Sequence, residues 1–396
     1  MNIIVFASAL HDIGSVIGRR DEALRAFAGE EIRLIGCDSD LTGVENPVCF
    51  IATGGTEELF ARVWEKLPRP VVLLSDGYHN SFAAAFEIAS FLEQRGVEHR
   101  LINLPLADDG GRRGGEGDAE GDGGAPAGDT TLPSPYNPAV LETLAAQRIG
   151  LIGGASSWLI SSGIDREAVS CTYGAKFIDI PIRELEEEYR ATVAEPLQDT
   201  AQTYSREALS DAERMYRALK AICGRYGLTA LTIKCFDLLE SCRTTSCLAL
   251  ARLSDEGIIS GCEGDIPSLW TLIVAKALTG RPAFMANPSS SNRAAGTVDF
   301  AHCTIPLSMC KSYTLPSHFE SGIGIGIAGI LPECPCSIMK IGGPRLDKVY
   351  QAKGTIVCNT RIPERCRTQI RFQFPSRAEF ARFMANRLGN HIVLYR

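Results

Sequence analysis

The chain changes its periodicity near His302, and that change constrains the fold more than any other feature. Upstream, short apolar runs at 3–7, 32–36, 47–52 and 71–75 alternate with helix-like segments. Strands separated by helices are the pattern of a parallel sheet with both faces covered. The pattern restarts at 149–152 and continues near 177–180 and at 229–233, so a second α/β unit follows the first. Downstream of His302, TIPLSM, SIMKIGG, AKGTIVCN and CRTQIRFQF are short alternating runs with frequent Gly and Pro. That is the pattern of antiparallel strands in a small barrel. The expected fold class is α/β: two parallel-sheet domains over 1–145 and 146–300, then an antiparallel, barrel-like β domain over 301–396. A chain of 396 residues is long enough for three such units.

Residues 107–131, ADDGGRRGGEGDAEGDGGAPAGDTT, have almost no apolar side chains to offset ordering entropy, and are expected to be a disordered insertion in the first domain. A net charge of −7 argues against nucleic acid or an anionic membrane as the main partner. No apolar run reaches the roughly 18 residues of a membrane span. MNIIVFASAL reads as a first buried strand rather than a signal peptide. With no such signal, the 14 cysteines, several of them inside apolar runs, are expected to be reduced thiols of a cytoplasmic protein. Gly324-Ile-Gly326-Ile-Ala-Gly329 fits G-x-G-x-x-G by letter but is followed by Leu-Pro, not a helix. Its glycines are therefore expected to let strands bend or approach closely, not to bind a dinucleotide.

Polar residues gather where one segment type gives way to the next. Ala52-Thr-Gly-Gly-Thr-Glu57 follows a strand and opens a helix, as an anion or hydroxyl cradle or simply as a turn with a capping box. His79 and Asn80 occupy the equivalent place after the next strand, where open α/β sheets bind ligands, although Asn80 or Ser81 can equally cap the following helix. Between 228 and 306 lie Lys234, Asp237, Arg243, the run Cys262-Glu263-Gly264-Asp265, Asn287 and His302. Asp265, two residues before Pro267, is placed as a helix N-cap or as a partner in catalysis, whereas Glu263 has no capping duty and suits a metal ligand or general base. His318 and Glu320 would share a face of an extended segment, and His391 leads into the last apolar run. No serine-hydrolase elbow, Walker loop, HExxH or kinase signature competes with this set.

These residues resemble the L-fucose and L-arabinose isomerases. The resemblance covers most of the chain outside the insertion. It is most specific at Glu263-Gly-Asp265, Phe284-Met285-Ala-Asn287, Ala301-His302 and Gly389-Asn390-His391, and looks closest to a compact "fucose isomerase-like" branch. It implies aldose–ketose isomerisation through an enediolate, assisted by a divalent ion, Mn²⁺ first and Co²⁺ or Mg²⁺ as alternatives. By the resemblance Glu263 is ligand and catalytic group, Asn287 stands where the family has its second acid, and His302 and His391 fall near its histidine ligands. Asp265 is then a further candidate for proton transfer. An amide at 287 can coordinate a cation but cannot act as a base. Lys234, Arg243, His79, Asn80, His318, Glu320 and Arg367 are the expected contacts to a small sugar, with Arg243 and Arg367 the first candidates for a sulfonate, phosphate or carboxylate. The resemblance also implies a homo-oligomer whose pockets share residues between subunits. The competing readings are a sugar-binding or regulatory homologue without turnover, and a related epimerase or lyase on an acidic sugar.

Overall fold

The computed structural model describes residues 1–104, 132–193 and 203–396, apart from positions 10, 12, 19, 30, 42 and 133. The insertion expected at 107–131 lies outside the described residues. The first sheet holds β1 (Asn2–Phe6), β2 (Arg33–Gly36), β3 (Val48–Ile51), β4 (Val71–Ser75) and β5 (His99–Asn103), all parallel, in the order β2-β1-β3-β4-β5. β3 is central and buried at every position, which is why it reads as an unbroken apolar run. β5, HRLIN, is a half-buried edge strand and lacks such a run, so periodicity does not mark it. The second sheet holds β6 (Arg148–Ile152), β7 (Lys176–Ile180), β8 (Ala230–Ile233) and β9 (Ile259–Gly261), parallel, in the order β7-β6-β8-β9. In both sheets the order reverses between two strands, β1 and β3 in one and β6 and β8 in the other. Ligand crevices open beyond the carboxyl ends of strands at such points.

The remaining strands are β10 (Phe284–Asn292), β11 (Thr297–His302), β12 (Ser312–Thr314), β13 (Ala328–Ile330), β14 (Pro335–Gly342), β15 (Lys348–Asn359), β16 (Thr368–Gln373) and β17 (Ile392–Tyr395). Six of them close an antiparallel barrel in the order β10-β11-β16-β15-β14-β17, while β12 and β13 pair separately. The barrel therefore starts at Phe284, not at residue 301, and the strand carrying Asn287 runs on to Asn292. The sequence hides this because Pro288 and three serines look like a loop. A register shift between Pro288 and Ser290 accommodates the proline, and buried Ser290 bonds the Asp299 carboxylate at 3.0 Å.

Two helices join these bodies. Ser81–Gln94 is buried from Ser81 to Leu92, with Ala84, Ala85 and Ile88 in the core of the first sheet and Phe82 and Phe86 in that of the barrel. Ile266–Thr279 is buried from Ile266 to Ala275 in a core shared by the second sheet and by barrel residues Met339, Ile341 and Val393. A helix apolar all round is a helix enclosed on all sides, so each sheet is cemented to the barrel by one of them. The glycine-rich run behaves as expected of close approach. An ideal Cβ on Gly324, at φ 61°, would lie 2.7 Å from the Thr245 side chain, and one on Gly329 2.5 Å from Cys310 Sγ. All 14 cysteines are free. No helix among the described residues is long and apolar enough to cross a membrane.

Among the described residues the tightest glycine lies in the barrel wall, where an ideal Cβ on Gly354 would stand 2.3 Å from Phe372 Cζ and 2.5 Å from Gln373 O. Gly354→Ala is expected to cost about 1–3 kcal/mol by overpacking, read as a lowered urea midpoint. An unchanged midpoint would contradict the packing described for β15 against β16.

Candidate active site

Glu263 stands just past β9 in left-handed backbone, φ 60°, which a non-glycine residue adopts only when its surroundings impose it. Gly264 N–H donates to Ile233 O at 2.9 Å, and Asp265 N–H to Cys262 O at 3.2 Å. Gly264, at φ 64°, leans on the loop after β6, where a Cβ would come within 2.6 Å of Gly154 O. Among the described residues six non-glycines have such backbone, Asn46, His79, Asn80, Arg243, Glu263 and Leu346. Four of them are candidates from the sequence, and strain of this kind gathers at functional sites.

Asp265 has the N-cap role. Its Oδ1 accepts Ser268 N–H at 2.7 Å, with Pro267 in the first turn. Its Oδ2 accepts Ser268 Oγ–H at 2.6 Å and His391 Nδ1–H at 2.8 Å, with the wholly buried Lys340 ammonium at 3.5 Å. This fully engaged, buried carboxylate faces its own partners, and what it does for the site is orient His391. That ring presents Nε2 to a buried space, without a hydrogen-bond partner and 3.6 Å from Glu263 Oε1. His302, the last residue of β11, approaches the same oxygen, Nε2 at 3.3 Å. Ligating atoms of Glu263, His302 and His391 all lie within 4.8 Å of one another, a grouping that no other His, Cys, Asp or Glu set among the described residues makes.

The two imidazoles differ in proton placement. His302 Nδ1 accepts Thr304 N–H at 3.1 Å, so a neutral His302 ring carries its proton on Nε2, toward Glu263. His391 donates from Nδ1 to Asp265, which leaves Nε2 as the ring atom that faces Glu263. Burial alone would raise the Glu263 carboxyl, but His391 and then His302 hold it far below the usual carboxylate range. Burial opposes charge on His391 too, yet Glu263 and Asp265 push it up to about 9. Once His391 Nε2 has given up its proton, Glu263 and His391 fit a divalent cation, an anionic oxygen beside a buried nitrogen whose other ring atom is anchored on a carboxylate. His302 fits as a ligand only if its ring releases the Thr304 amide. Asn287, buried on β10, accepts Asn390 Nδ2–H at 3.4 Å through its amide oxygen. It therefore borders the segment that carries His391.

A second polar group lies between the first sheet and the loop 317–323. Asn80 holds the N-cap position of Ser81–Gln94 but makes no capping bond. Its amide instead donates to Glu320 Oε1 at 2.5 Å, and Ser81 Oγ is engaged with Asp76 N–H and Ile51 O. Glu320 Oε2 meets His11 Nε2 at 3.3 Å, and His11 Nδ1 meets Ser8 Oγ at 3.0 Å. His79 stacks on Phe319, its Nδ1 buried without a partner, and burial followed by the charges of Arg20 and His11 lowers its pKa to about 4. The expectation that His318 and Glu320 share one face is wrong. Gly322 N–H bonds His318 O at 3.0 Å, so the segment turns, and His318 faces Ser321 Oγ while Glu320 reaches the first sheet. Arg367 bonds Ser317 O at 2.7 Å and lies over Phe319. The two groups meet at Cys303, next to His302, which packs with Cys366 and Phe319, and Cys366 touches Asn80. Lys234 pairs with Asp237 at 3.5 Å. Arg243 is exposed with no ion pair among the described residues, and neither cation bonds to the residues around Glu263.

Sequence reading passed over several participants. Glu87 is wholly buried and accepts Ser161 N–H at 2.7 Å and Asn390 N–H at 3.1 Å, which fixes the approach to His391. Lys340 completes the Asp265 group. A lone acid in FAAAFEIASFL and a lone lysine in SIMKIGG are the available signals, because a charge in an apolar run must be paired when buried.

No protein-family model matches the chain. A sulfoquinovose isomerase of Clostridium sp. (strain MSTE9) is 28% identical over 216 residues, 47% of this chain and 48% of that protein. A sulfoquinovose isomerase of Alkalicoccus urumqiensis is 23% identical over 166 residues, 39% of this chain and 38% of that protein. The chain thus spans about half the length, or less, of the curated relatives it matches. Both similarities are to proteins named as sugar isomerases.

Asp265→Ala removes the helix cap, releases His391 and leaves Lys340 buried without its counter-ion. The expected loss is about 3–5 kcal/mol in equilibrium urea unfolding. A loss below about 1 kcal/mol, the scale of an exposed pair, would contradict a buried, interdependent group.

Proposed function

We propose that this protein is a cytoplasmic aldose–ketose isomerase of carbohydrate metabolism, of the compact fucose isomerase-like branch, acting through an enediolate on a sugar with an anionic substituent. The observation that carries the reading is the convergence of Glu263, His302 and His391 on one buried point, with His391 Nε2 unpartnered and held in place by Asp265. The names of the two relatives support the reaction class and make sulfoquinovose the first substrate to try. Glu263 and His391 would hold the divalent ion, Mn²⁺ first, with Co²⁺ and Mg²⁺ as alternatives. When bound, such an ion supplies Lewis-acid polarisation of neighbouring sugar oxygens.

This chain's own residues do the rest. Glu263, kept ionised by its two histidines, is the proton acceptor at the carbon next to the carbonyl. His302, whose Nε2 proton placement is set by the Thr304 amide, donates a hydrogen bond to a sugar oxygen. Asn287 orients the Asn390–His391 segment and exchanges no proton. Arg367, beside the Phe319 loop, is the better placed of the two candidate arginines for the anionic group, and His79, Asn80 and Glu320 line the side toward the first sheet. A homo-oligomer that completes the pocket belongs to the same proposal. The amide at 287 also favours a second reading, a sugar-binding homologue without turnover.

A panel of aldoses and acidic sugars, sulfoquinovose included, tested with Mn²⁺, Co²⁺ and Mg²⁺ after chelation separates these readings. Isomerisation is expected, with Glu263→Gln lowering kcat by at least about 100-fold and depleting bound metal. Sugar binding without conversion would establish the second reading, and no metal with no turnover would sink the first. Because His391 titrates near 9, metal uptake at pH 7 should expel about one proton. Apparent Mn²⁺ affinity should then rise as pH rises toward 9, as titration calorimetry in buffers of different ionisation enthalpy would read. Affinity independent of pH would remove His391 from the ligand set.

A further inference from the structure

We propose that Glu57 is a second catalytic carboxyl of this site, presented to the sugar from the first sheet while Glu263 acts from the second. The inference rests on the isomerase reading. Glu57 opens the helix Glu57–Val63 directly after β3. It therefore sits at the point where the first sheet's strand order reverses between β1 and β3, the crevice in which open α/β sheets bind ligands. It is 2% exposed, and its Oε2 is buried without a hydrogen-bond partner. A carboxyl left so in a folded interior is unusual and calls for a partner that the protein alone does not supply.

The loop before it is braced by further bonds that leave Oε2 of that carboxyl unused. Thr53 Oγ accepts Ser8 N–H at 2.8 Å, Thr56 Oγ–H donates to Thr53 O at 2.9 Å, and Gly54 N–H donates to His79 O at 2.7 Å. Thr56, at the N-cap position, makes no side-chain cap, so the capping box anticipated for 53–57 does not form. The helix packs against Ser81–Gln94, whose Glu87 holds the Asn390 amide next to His391. Glu57 lies near enough to both Glu87 and Glu263 for their charges to act on it. Burial first, then these like charges, push its carboxyl up to about 8, against the pull of its own and Thr56's backbone N–H groups. A buried carboxyl with an unpartnered oxygen at the carboxyl end of β3, within reach of the charge of Glu263, can exchange the proton that the amide of Asn287 cannot.

The proton accounting closes without an outside reagent. Glu263 removes the C2 hydrogen of the aldose as a proton, the C1–C2 double bond forms, and the C1 carbonyl oxygen takes the proton of Glu57, giving the enediol. The O2 proton then passes to the Glu57 carboxylate as the C2 carbonyl forms, and Glu263 returns its proton to C1. Both carboxyls end as they began.

The test is Glu57→Gln, which keeps size and removes the transferable proton. The expected result is a kcat at least about 100-fold lower, with KM, bound Mn²⁺ and thermal midpoint unchanged, and partial recovery in Glu57→Asp. Turnover of Glu57→Gln within a few-fold of wild type overturns the inference alone, as does a variant whose only defect is lost metal or lost stability. A wild-type protein with no turnover on any aldose removes the isomerase reading and this inference with it. If Glu57→Gln does not fold, infrared spectroscopy of the wild-type protein decides. A sugar alcohol analogue should shift a protonated-carboxyl band, and an unmoved band overturns the proposal.

Discussion

The hydrogen bond from His391 to Asp265 is the interaction on which the rest of the site depends. It links the N-terminus of the helix Ile266–Thr279, in the second α/β unit, to the strand that closes the barrel. Both groups are wholly buried, and the cost of removing charge from water is offset only when every polar atom finds a partner. Ser268 and Lys340 complete the set for Asp265, and Glu263 faces the far nitrogen of the ring. The same bond leaves His391 Nε2 facing Glu263. One contact thus serves the helix cap, the domain junction and the site.

The site lies where it does because of how the three bodies are joined. Two apolar helices, each enclosed on all sides, bind the first and second sheets to the barrel. Their N-terminal ends bring the loops after β4 and β9 to the barrel mouth. His79 and Asn80 arrive by one route and Glu263 by the other, all three in left-handed backbone that the neighbouring packing enforces. Barrel strands and the loop 317–323 supply the opposing wall through Asn287, His302, Glu320 and His391.

Much of the fold was legible because its determinants are local. The parallel strands are continuous apolar runs flanked by helices, and the later strands alternate with Gly and Pro between them. β5 and the second half of β10 were not legible, one being a polar edge and the other a bulged serine strand whose burial comes from its neighbours. Within the site Glu263, His302 and His391 stand at segment boundaries where spacing draws attention. The pairing of Asn80 with Glu320 instead of a helix cap depends on a contact between residues 240 apart in the chain.

By itself the sequence determined the α/β class, the change to an antiparallel barrel and the short set of histidines and acids able to meet, since periodicity and residue type act over a few neighbouring positions. Only the tertiary structure decided that Asp265 orients a ring, that two imidazoles turn their Nε2 atoms to Glu263, and that Glu87 fixes the approach to His391. Burial, proton placement and charge coupling are set by distances between segments remote in the chain, and no local pattern encodes them.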